Sequence, residues 1–214
     1  HPQACRVQAM TLKIAIIGAG MAGITAARTL VQAGHRVHIF EKSRSAAGRM
    51  STRETVFGTF DHGTQYFTVR DPRFSLALQT VAGTKEICRP WSASAVRVLD
   101  PMGQVFEAAK QNHDAHFVAS PGMNALVRHW AQPLGKALHL HNQVQRMERN
   151  TKGQWTLHSI NASTRAEIPE THSGFDRVLL AVPSVQAEQL LRNSGTHTND
   201  THFLEAISKV QVAP

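Results

Sequence analysis

Residues 13–41 decide the fold: Lys13-Ile-Ala-Ile-Ile-Gly-Ala-Gly-Met-Ala-Gly-Ile-Thr-Ala-Ala-Arg-Thr-Leu-Val-Gln-Ala-Gly-His-Arg-Val-His-Ile-Phe-Glu41. The apolar run Ile14–Ile17 predicts a buried parallel strand. A helix should follow and end at Gly34, because glycine tolerates the left-handed turn that closes helices. One face of this helix should carry Ala26, Ala27, Leu30 and Val31. The run Val37–Phe40 predicts a second strand, so the stretch predicts a β-α-β unit.

Three glycines follow the first strand at the spacing G-x-G-x-x-G, at Gly18, Gly20 and Gly23. The first permits a tight turn, the second lets backbone approach a pyrophosphate, and the third lets the helix pack close to the sheet. The helix start offers free N–H groups and a partial positive charge to phosphate. Glu41 can accept hydrogen bonds from both ribose hydroxyls and disfavours a 2′-phosphate. The unit predicts a dinucleotide site and does not distinguish FAD from NAD.

Length and composition suit a globular chain of one large or two small domains, with 214 residues and 42% hydrophobic content. Because no apolar run approaches the ~20 residues that span a bilayer, no membrane span is predicted. Cys5 and Cys88 do not form a disulfide framework, which favours a cytoplasmic setting. The 13 histidines, among them His113 and His197, lack metal-ligand spacing, and no metal site is predicted.

The formal net charge of +8 raises the question of nucleic-acid binding. Lysines and arginines are spread along the chain without a basic run, and they do not alternate with aromatic residues. We therefore expect no nucleic-acid partner. The expected partner is a small molecule, and the sequence leaves the oligomeric state unknown.

The small and polar residues 42–52 predict a loop. Within it, Gly48-Arg49 resembles the Gly-Gly-Arg turn of many two-dinucleotide flavoproteins, in which the arginine reaches back to the FAD pyrophosphate. Ala47 stands where that turn has its first glycine, and a positive φ there would be strained. The alternative for Arg49 is a solvated loop arginine.

Longer motifs follow, namely Phe60-Asp-His-Gly-Thr-Gln-Tyr-Phe67, Arg70-Asp-Pro-Arg-Phe74, Ser120-Pro-Gly-Met-Asn-Ala-Leu126 and Phe175-Asp-Arg-Val-Leu-Leu-Ala-Val-Pro183. Together with Gly48-Arg-Met50 they resemble the renalase-like branch of the flavin amine-oxidase superfamily, over residues 12–191. The resemblance implies FAD as cofactor. It also implies a Rossmann-like FAD-binding domain of the two-dinucleotide type, α/β in class, with an inserted α+β substrate domain.

By motif and resemblance, the residues expected to bind the cofactor lie in the glycine turn, after the second strand, in the two loop motifs, in a later hairpin and at the end of a returning strand. They are Gly18, Ala19, Gly20, Met21, Ala22, Gly23, Glu41, Lys42, Gly48, Arg49, Met50, His62, Gly63, Gln65, Tyr66, Val144, Ala181 and Pro183. The alternative for Tyr66 is an ordinary core position. No side-chain arrangement identifies a catalytic residue.

The expected domain map divides the chain into five parts. Residues 1–10 would be a non-native or disordered tail, 11–70 FAD-binding, 71–118 a substrate-domain insertion, 119–183 FAD-binding again, and 184–214 the start of a second substrate-domain segment. The resemblance calls for a later Gly-Asp element that closes the flavin site. We therefore expect a C-terminally truncated chain that holds FAD weakly by itself.

Local patterns predict further elements. They are a helix over 74–81, a strand pair over 91–99 and 105–106 around the turn 100–103, a helix over 121–132, strands over 142–147 and 155–157, a buried strand over 178–182, and a helix over 185–191 capped by Ser184.

The resemblance implies an FAD-dependent oxidase that takes a hydride from a small reduced substrate, with O₂ as reoxidant. A dihydronicotinamide dinucleotide isomer is the substrate that the renalase-like branch implies. The alternatives are an amine oxidase or desaturase of the same superfamily, or a catalytically incompetent dinucleotide-binding fragment.

Overall fold

The computed structural model describes residues 10–91, 98–106, 115–164, 168–195 and 201–211. The N-terminal residues 1–9, with Cys5, and the two histidines His113 and His197 lie outside these ranges. Two compact units divide the chain, one formed by His1–Gly48 with Trp130–Pro214 and the other by Arg49–His129. The assignment of residues 71–118 to a substrate domain stays a prediction.

The strands are β1 (Lys13–Ile17), β2 (Arg36–Phe40), β3 (Thr52–Thr55), β4 (Gly58–Asp61), β5 (Phe67–Thr68), β6 (Cys88–Pro90), β7 (Val98–Leu99), β8 (Val105–Phe106), β9 (His116–Ala119), β10 (Leu138–His139), β11 (Asn142–Arg149), β12 (Trp155–Asn161), β13 (Ile168–Phe175) and β14 (Arg177–Leu180). The helices are α1 (Met21–Gln32), α2 (Pro72–Thr80), α3 (Thr84–Ile87), α4 (Asn124–Ala131), α5 (Ser184–Asn193) and α6 (Thr201–Ser208), with short 3₁₀ turns at Gly48–Met50 and Gln132–Ala137.

A four-stranded parallel sheet with the order β10-β2-β1-β14 forms the centre of the first unit. Ile16 and Ile39 pair across β1 and β2, and both are fully buried. Burial on both faces explains why these strands read as continuous apolar runs. The predicted β-α-β unit and the Rossmann-like α/β fold are therefore confirmed.

The buried face of α1 differs from the predicted one. Gly23, Ile24 and Ala27 are buried, whereas Val31 is 47% exposed. Gly23, which has no side chain, is on the side of α1 that faces the sheet. Val31 therefore lies on the side that faces solvent. Its end is as predicted, because Gly34 has a φ of +86° directly after the capping residue.

The prediction that the strand at 178–182 is buried is wrong. The strand β14 covers Arg177–Leu180 and lies at one end of the sheet order, and Leu179 is 39% exposed. Among the described residues, β14 pairs with β1 alone, so its other edge is not covered by a strand of these ranges. Ser184 is the first residue of α5 rather than its cap, which is Pro183.

An antiparallel meander of β11, β12 and β13 completes the first unit together with α5 and α6. Gly153 turns the chain between β11 and β12 with a φ of +80°, as predicted. One apolar cluster joins sheet, meander and α5, and contains Ala15, Ile17, Phe40, Met147, Leu157, Phe175, Leu190 and Leu191.

The second unit contains two hairpins, β3-β4 and β7-β8, and the three-stranded sheet β5-β9-β6. The predicted helix over 74–81 is confirmed as α2, and the predicted turn 100–103 joins the strands β7 and β8. Of the first strand, predicted over 91–99, residues 92–97 lie outside the described ranges. The helix predicted from residue 121 begins at Asn124. Two early N–H groups of this segment, those of Met123 and Asn124, donate to Asp61 and Thr52 of the β3-β4 hairpin. The hairpin therefore fixes where α4 starts.

No helix within the described ranges is long and apolar enough to cross a membrane. No group of three or more His, Cys, Asp or Glu side chains in the same ranges is arranged to hold a metal ion.

Candidate dinucleotide-binding site

The turn between β1 and α1 is built so that two of its three glycines cannot carry a side chain. Gly18 has a φ of +102°, and a Cβ added there would lie 2.5 Å from the Ala181 carbonyl oxygen. A Cβ on Gly23 would lie 2.0 Å from the carbonyl oxygen of Gly18. Both distances are far below van der Waals contact. Gly18 and Gly23 are therefore required by the fold itself.

Gly20 differs from the other two glycines. A Cβ added there would come no closer than 3.7 Å to its nearest neighbour, the Cα of Gly48, which is ordinary contact. Gly20 is also the N-cap residue of α1, and no side chain of the described chain caps this helix. The backbone N–H groups of the first turn consequently remain available to an anion. Open space and free donors at one point fit a bound pyrophosphate.

The loop after β2 returns to this turn. Gly20 and Ala47 form an isolated parallel bridge. Gly48 has a positive φ of +59°, whereas the neighbouring Ala47 is buried and does not have a positive φ. The strain expected at Ala47 is therefore absent. A Cβ on Gly48 would lie 3.0 Å from the Cα of Gly20, so the close approach in this turn depends on two glycines facing one another.

Glu41 ties the two loops together. Its side chain is 7% exposed, Oε2 accepts the Ala19 N–H at 2.8 Å, and Oε1 accepts the Ser43 N–H at 2.9 Å. A carboxylate offers about four lone-pair sites. Acceptor capacity therefore remains for ribose hydroxyls. The carboxylate also has a structural task that the sequence did not indicate.

A cavity of about 410 Å³ opens beside Glu41, within the ~300–1,000 Å³ range of small-molecule sites. Four residues predicted to bind the cofactor line it, namely Gly18, Glu41, Lys42 and Val144. The opposite wall is α5, which contributes polar side chains that were not predicted. The spacing of Gln186, Gln189 and Asn193, at i, i+3 and i+7, was the signal available in the sequence.

Ala181 and Pro183 are not among the residues that line this cavity. The Ala181 N–H donates to the Ile17 carbonyl at 2.8 Å, and the Ala181 carbonyl faces Gly18. Val182, between them, does line the cavity. Ala181 supports the glycine turn from behind, and its direct contact with a cofactor stays a prediction, as does that of Pro183.

The remaining predicted residues, from Arg49 onward, belong to the second unit. The Arg49 carbonyl accepts the Thr64 N–H at 2.8 Å, and a Cβ on Gly63 would lie 2.1 Å from that carbonyl oxygen. Gly63 is therefore needed for local backbone packing. Met50 is half-buried, and the Arg49 and Gln65 side chains are exposed.

His62 and Tyr66 are also exposed, and Tyr66 is not a core residue. His62 Nε2 lies 3.1 Å from the Ser51 hydroxyl, and the Tyr66 ring stacks on Trp91 with centroids 5.6 Å apart. The roles of these second-unit side chains toward a cofactor stay predictions.

Three histidines pack between the parallel sheet and the meander. His38 Nδ1 lies 3.1 Å from His139 Nε2, and the ring centroids of His139 and His172 are 5.7 Å apart. Burial lowers the pKa of all three below the usual value, and repulsion from neighbouring histidines lowers the pKa of His38 and His139 further. Lys13 also lowers the pKa of His38 and His172, whereas Glu170 opposes the effect at His139 and His172.

These lowered pKa values predict acid sensitivity. The unfolded chain binds protons at these histidines at higher pH than the folded chain does, so stability falls as pH drops below about 6.5. We expect a lower free energy of unfolding at pH 5.5 than at pH 7.5 in urea titrations. His139→Phe should reduce this difference, whereas the same change at exposed His62 should leave it unaltered. An equal pH dependence in both variants would contradict the assignment.

Comparison with known proteins agrees with the fold. A family model for the NAD(P)-binding Rossmann-like domain matches residues 16–79. A 4,4′-diapophytoene desaturase (4,4′-diaponeurosporene-forming) from Staphylococcus aureus is 46% identical over 52 residues, which are 24% of this chain and 10% of the relative. The chain therefore spans about a tenth of the length of the curated relatives that it matches.

Solved structures match over more of the chain at low identity. A wild-type putrescine oxidase bound to putrescine has a TM-score of 0.60 and 13% identity, over 85% of this chain and 60% of that one. A fatty acid isomerase from P. acnes that produces CLA has a TM-score of 0.63 and 14% identity, over 91% and 63%. On these matches the chain carries an NAD(P)-binding Rossmann-like domain over residues 16–79, and it shares its overall α/β fold with these solved structures.

Proposed function

We propose that the chain is the dinucleotide-binding part of an FAD-dependent oxidoreductase. Its substrate would be a small reduced molecule, and a dihydronicotinamide dinucleotide isomer of the kind implied by the renalase-like resemblance is our choice. FAD, when bound, supplies the hydride acceptor, and O₂ then takes the two electrons and leaves as H₂O₂. The balanced outcome is an oxidised substrate and one molecule of peroxide.

The observation that carries this proposal is the space at Gly20. Two glycines face each other across it, an uncapped helix of 12 residues begins there, and a buried carboxylate stands at the neighbouring cavity. Phosphate at the helix start and ribose at Glu41 satisfy these groups together. FAD and NAD share this half of the molecule. FAD is preferred because the Gly48-Arg-Met50 turn resembles that of flavoproteins and because a solved neighbour is described as a putative FAD containing monooxygenase.

The residues of the chain act by binding and orientation. Glu41 would hold the ribose hydroxyls, and the first turn of α1 would neutralise the pyrophosphate charge. No general base is required when the substrate already carries a labile hydride. Cys88 is a buried thiol whose pKa burial raises to about 11, which makes it unreactive and suits the reducing cytoplasm that we propose.

An amine oxidase or desaturase is the alternative, and the putrescine oxidase and desaturase matches support it. The net charge of +8 favours an anionic dinucleotide over a cationic amine. A third possibility is a dinucleotide-binding chain without catalysis, which would bind FAD and leave every reductant unoxidised.

Anaerobic mixing of the flavin-loaded enzyme with each substrate class tests the proposal. We expect dihydronicotinamide isomers to bleach the oxidised flavin band rapidly, and readmitted O₂ to restore it with one peroxide per cycle. Bleaching by simple amines alone would overturn the substrate assignment and leave the superfamily assignment standing. A titration in which even a large excess of FAD does not bind to the chain would overturn the cofactor assignment.

A further inference from the structure

Helix α5 presents two different faces. Ala187, Leu190 and Leu191 are buried, and the two leucines belong to the apolar cluster of the first unit. Gln186 and Gln189, one turn apart, are exposed residues that line the 410 Å³ cavity together with Leu190. Polar side chains aligned along one wall of a cavity can recognise the polar edge of a flat ligand.

The two glutamines are available for such recognition. Asn193, on the same face, is engaged, because its Nδ2 donates to the Gln145 carbonyl at 3.3 Å and ties α5 to β11. For the side chains of Gln186 and Gln189, the described part of the chain supplies no hydrogen-bond partner. Each carboxamide consequently keeps one acceptor and two donor hydrogens free.

The position of the ribose decides which part of the ligand reaches these residues. With phosphate at the start of α1 and ribose at Glu41, we expect the base to extend into the remainder of the cavity. That remainder is bounded by the backbone of β11 at Gln143–Gln145 and by the polar face of α5. Val144, half-buried on this wall, offers an apolar contact to the ring.

We propose that Gln186 and Gln189 read the base of the bound dinucleotide and select adenine over a 6-oxopurine. This inference rests on the proposed dinucleotide function of the same cavity. A carboxamide pairs with adenine through two bonds, since its oxygen accepts from the N6 amino group and its nitrogen donates to N7. In hypoxanthine, O6 and N7 are both acceptors, so one of these two bonds is lost in either amide orientation.

Binding of ADP and IDP to the whole chain, measured by isothermal titration calorimetry, tests the inference without flavin chemistry. We expect the wild type to bind ADP about tenfold or more tightly than IDP. The double variant Gln186→Met, Gln189→Met should bind the two nucleotides equally, mainly through weaker ADP binding. Gln32→Met is the matched control, because Gln32 is an exposed glutamine near the end of α1 that does not line the cavity.

The outcomes separate this inference from the function on which it rests. Equal affinities for ADP and IDP in the wild type would overturn base reading by the glutamines and leave dinucleotide binding intact. An unchanged ADP preference in the double variant would do the same. Absence of binding for both nucleotides would overturn the dinucleotide function and, with it, the role of the glutamines. Methionine is an equally good helix former, and circular dichroism of both variants verifies the fold.

Discussion

Gly23→Ala should destabilise the protein strongly, whereas Gly20→Ala should leave it folded and weaken dinucleotide binding. The Cβ of the first variant would lie 2.0 Å from the Gly18 carbonyl oxygen, and neither α1 nor β1 can move without disturbing the core. Such overlap costs at least the ~1–3 kcal/mol of an overpacked core. The Cβ of the second variant meets only ordinary contact at 3.7 Å, but it would occupy the space proposed for the pyrophosphate.

Thermal unfolding and nucleotide titration of both variants measure this difference. For Gly23→Ala we expect a fall in Tm of roughly 2–12 °C or more, or no soluble product. For Gly20→Ala we expect a Tm near that of wild type and an ADP affinity lower by roughly 10- to 100-fold. Wild-type ADP affinity in Gly20→Ala would show that the pyrophosphate binds elsewhere.

Glu41→Ala should weaken both ligand binding and the glycine turn. The loss of charge-assisted hydrogen bonds to ribose corresponds to roughly 1.5–3 kcal/mol, or about 10- to 150-fold in ADP affinity. The Ala19 and Ser43 N–H groups would also lose their acceptors, so some loss of stability should accompany the loss of affinity. The exposed Glu54 on the β3-β4 hairpin supplies a control, Glu54→Ala, that changes net charge equally.

Comparison of ADP with 2′-deoxy-ADP separates the two tasks of Glu41. If the carboxylate binds the ribose, the wild type should prefer ADP, and Glu41→Ala should lose this preference. If the carboxylate only holds the loops together, both nucleotides should weaken equally in the variant. The second result would contradict the ribose role and retain the structural one. Glu54→Ala should behave as wild type toward both nucleotides.

The sequence predicted the central unit correctly because its determinants are local. An apolar run such as Ile14–Ile17 specifies a buried strand, and the glycine spacing specifies a turn with a particular backbone shape. The acid at the end of β2 followed from the same fingerprint. These features depend on chain neighbours within a few residues, and the structure agrees with them.

The sequence did not predict correctly which residues are buried or where α4 begins, because both depend on neighbours in space. Val31 is exposed because Gly23, not a larger residue, faces the sheet. Leu179 is exposed because β14 pairs with one strand in the described part of the chain. α4 begins at Asn124 because side chains of a distant hairpin accept its first N–H groups. Residue patterns along one segment do not contain this information.

The sequence by itself determined that this chain contains a β-α-β unit with a G-x-G-x-x-G turn, since glycine positions and apolar periods act over short stretches. Only the tertiary structure decided which of these glycines the fold requires and which one leaves space for the proposed ligand, because that depends on what lies opposite each Cα. Gly18 and Gly23 face carbonyl oxygens, while Gly20 faces another glycine and open space. The cavity wall from α5 likewise arises from packing between segments more than 140 residues apart in the chain, from Glu41 to Gln186.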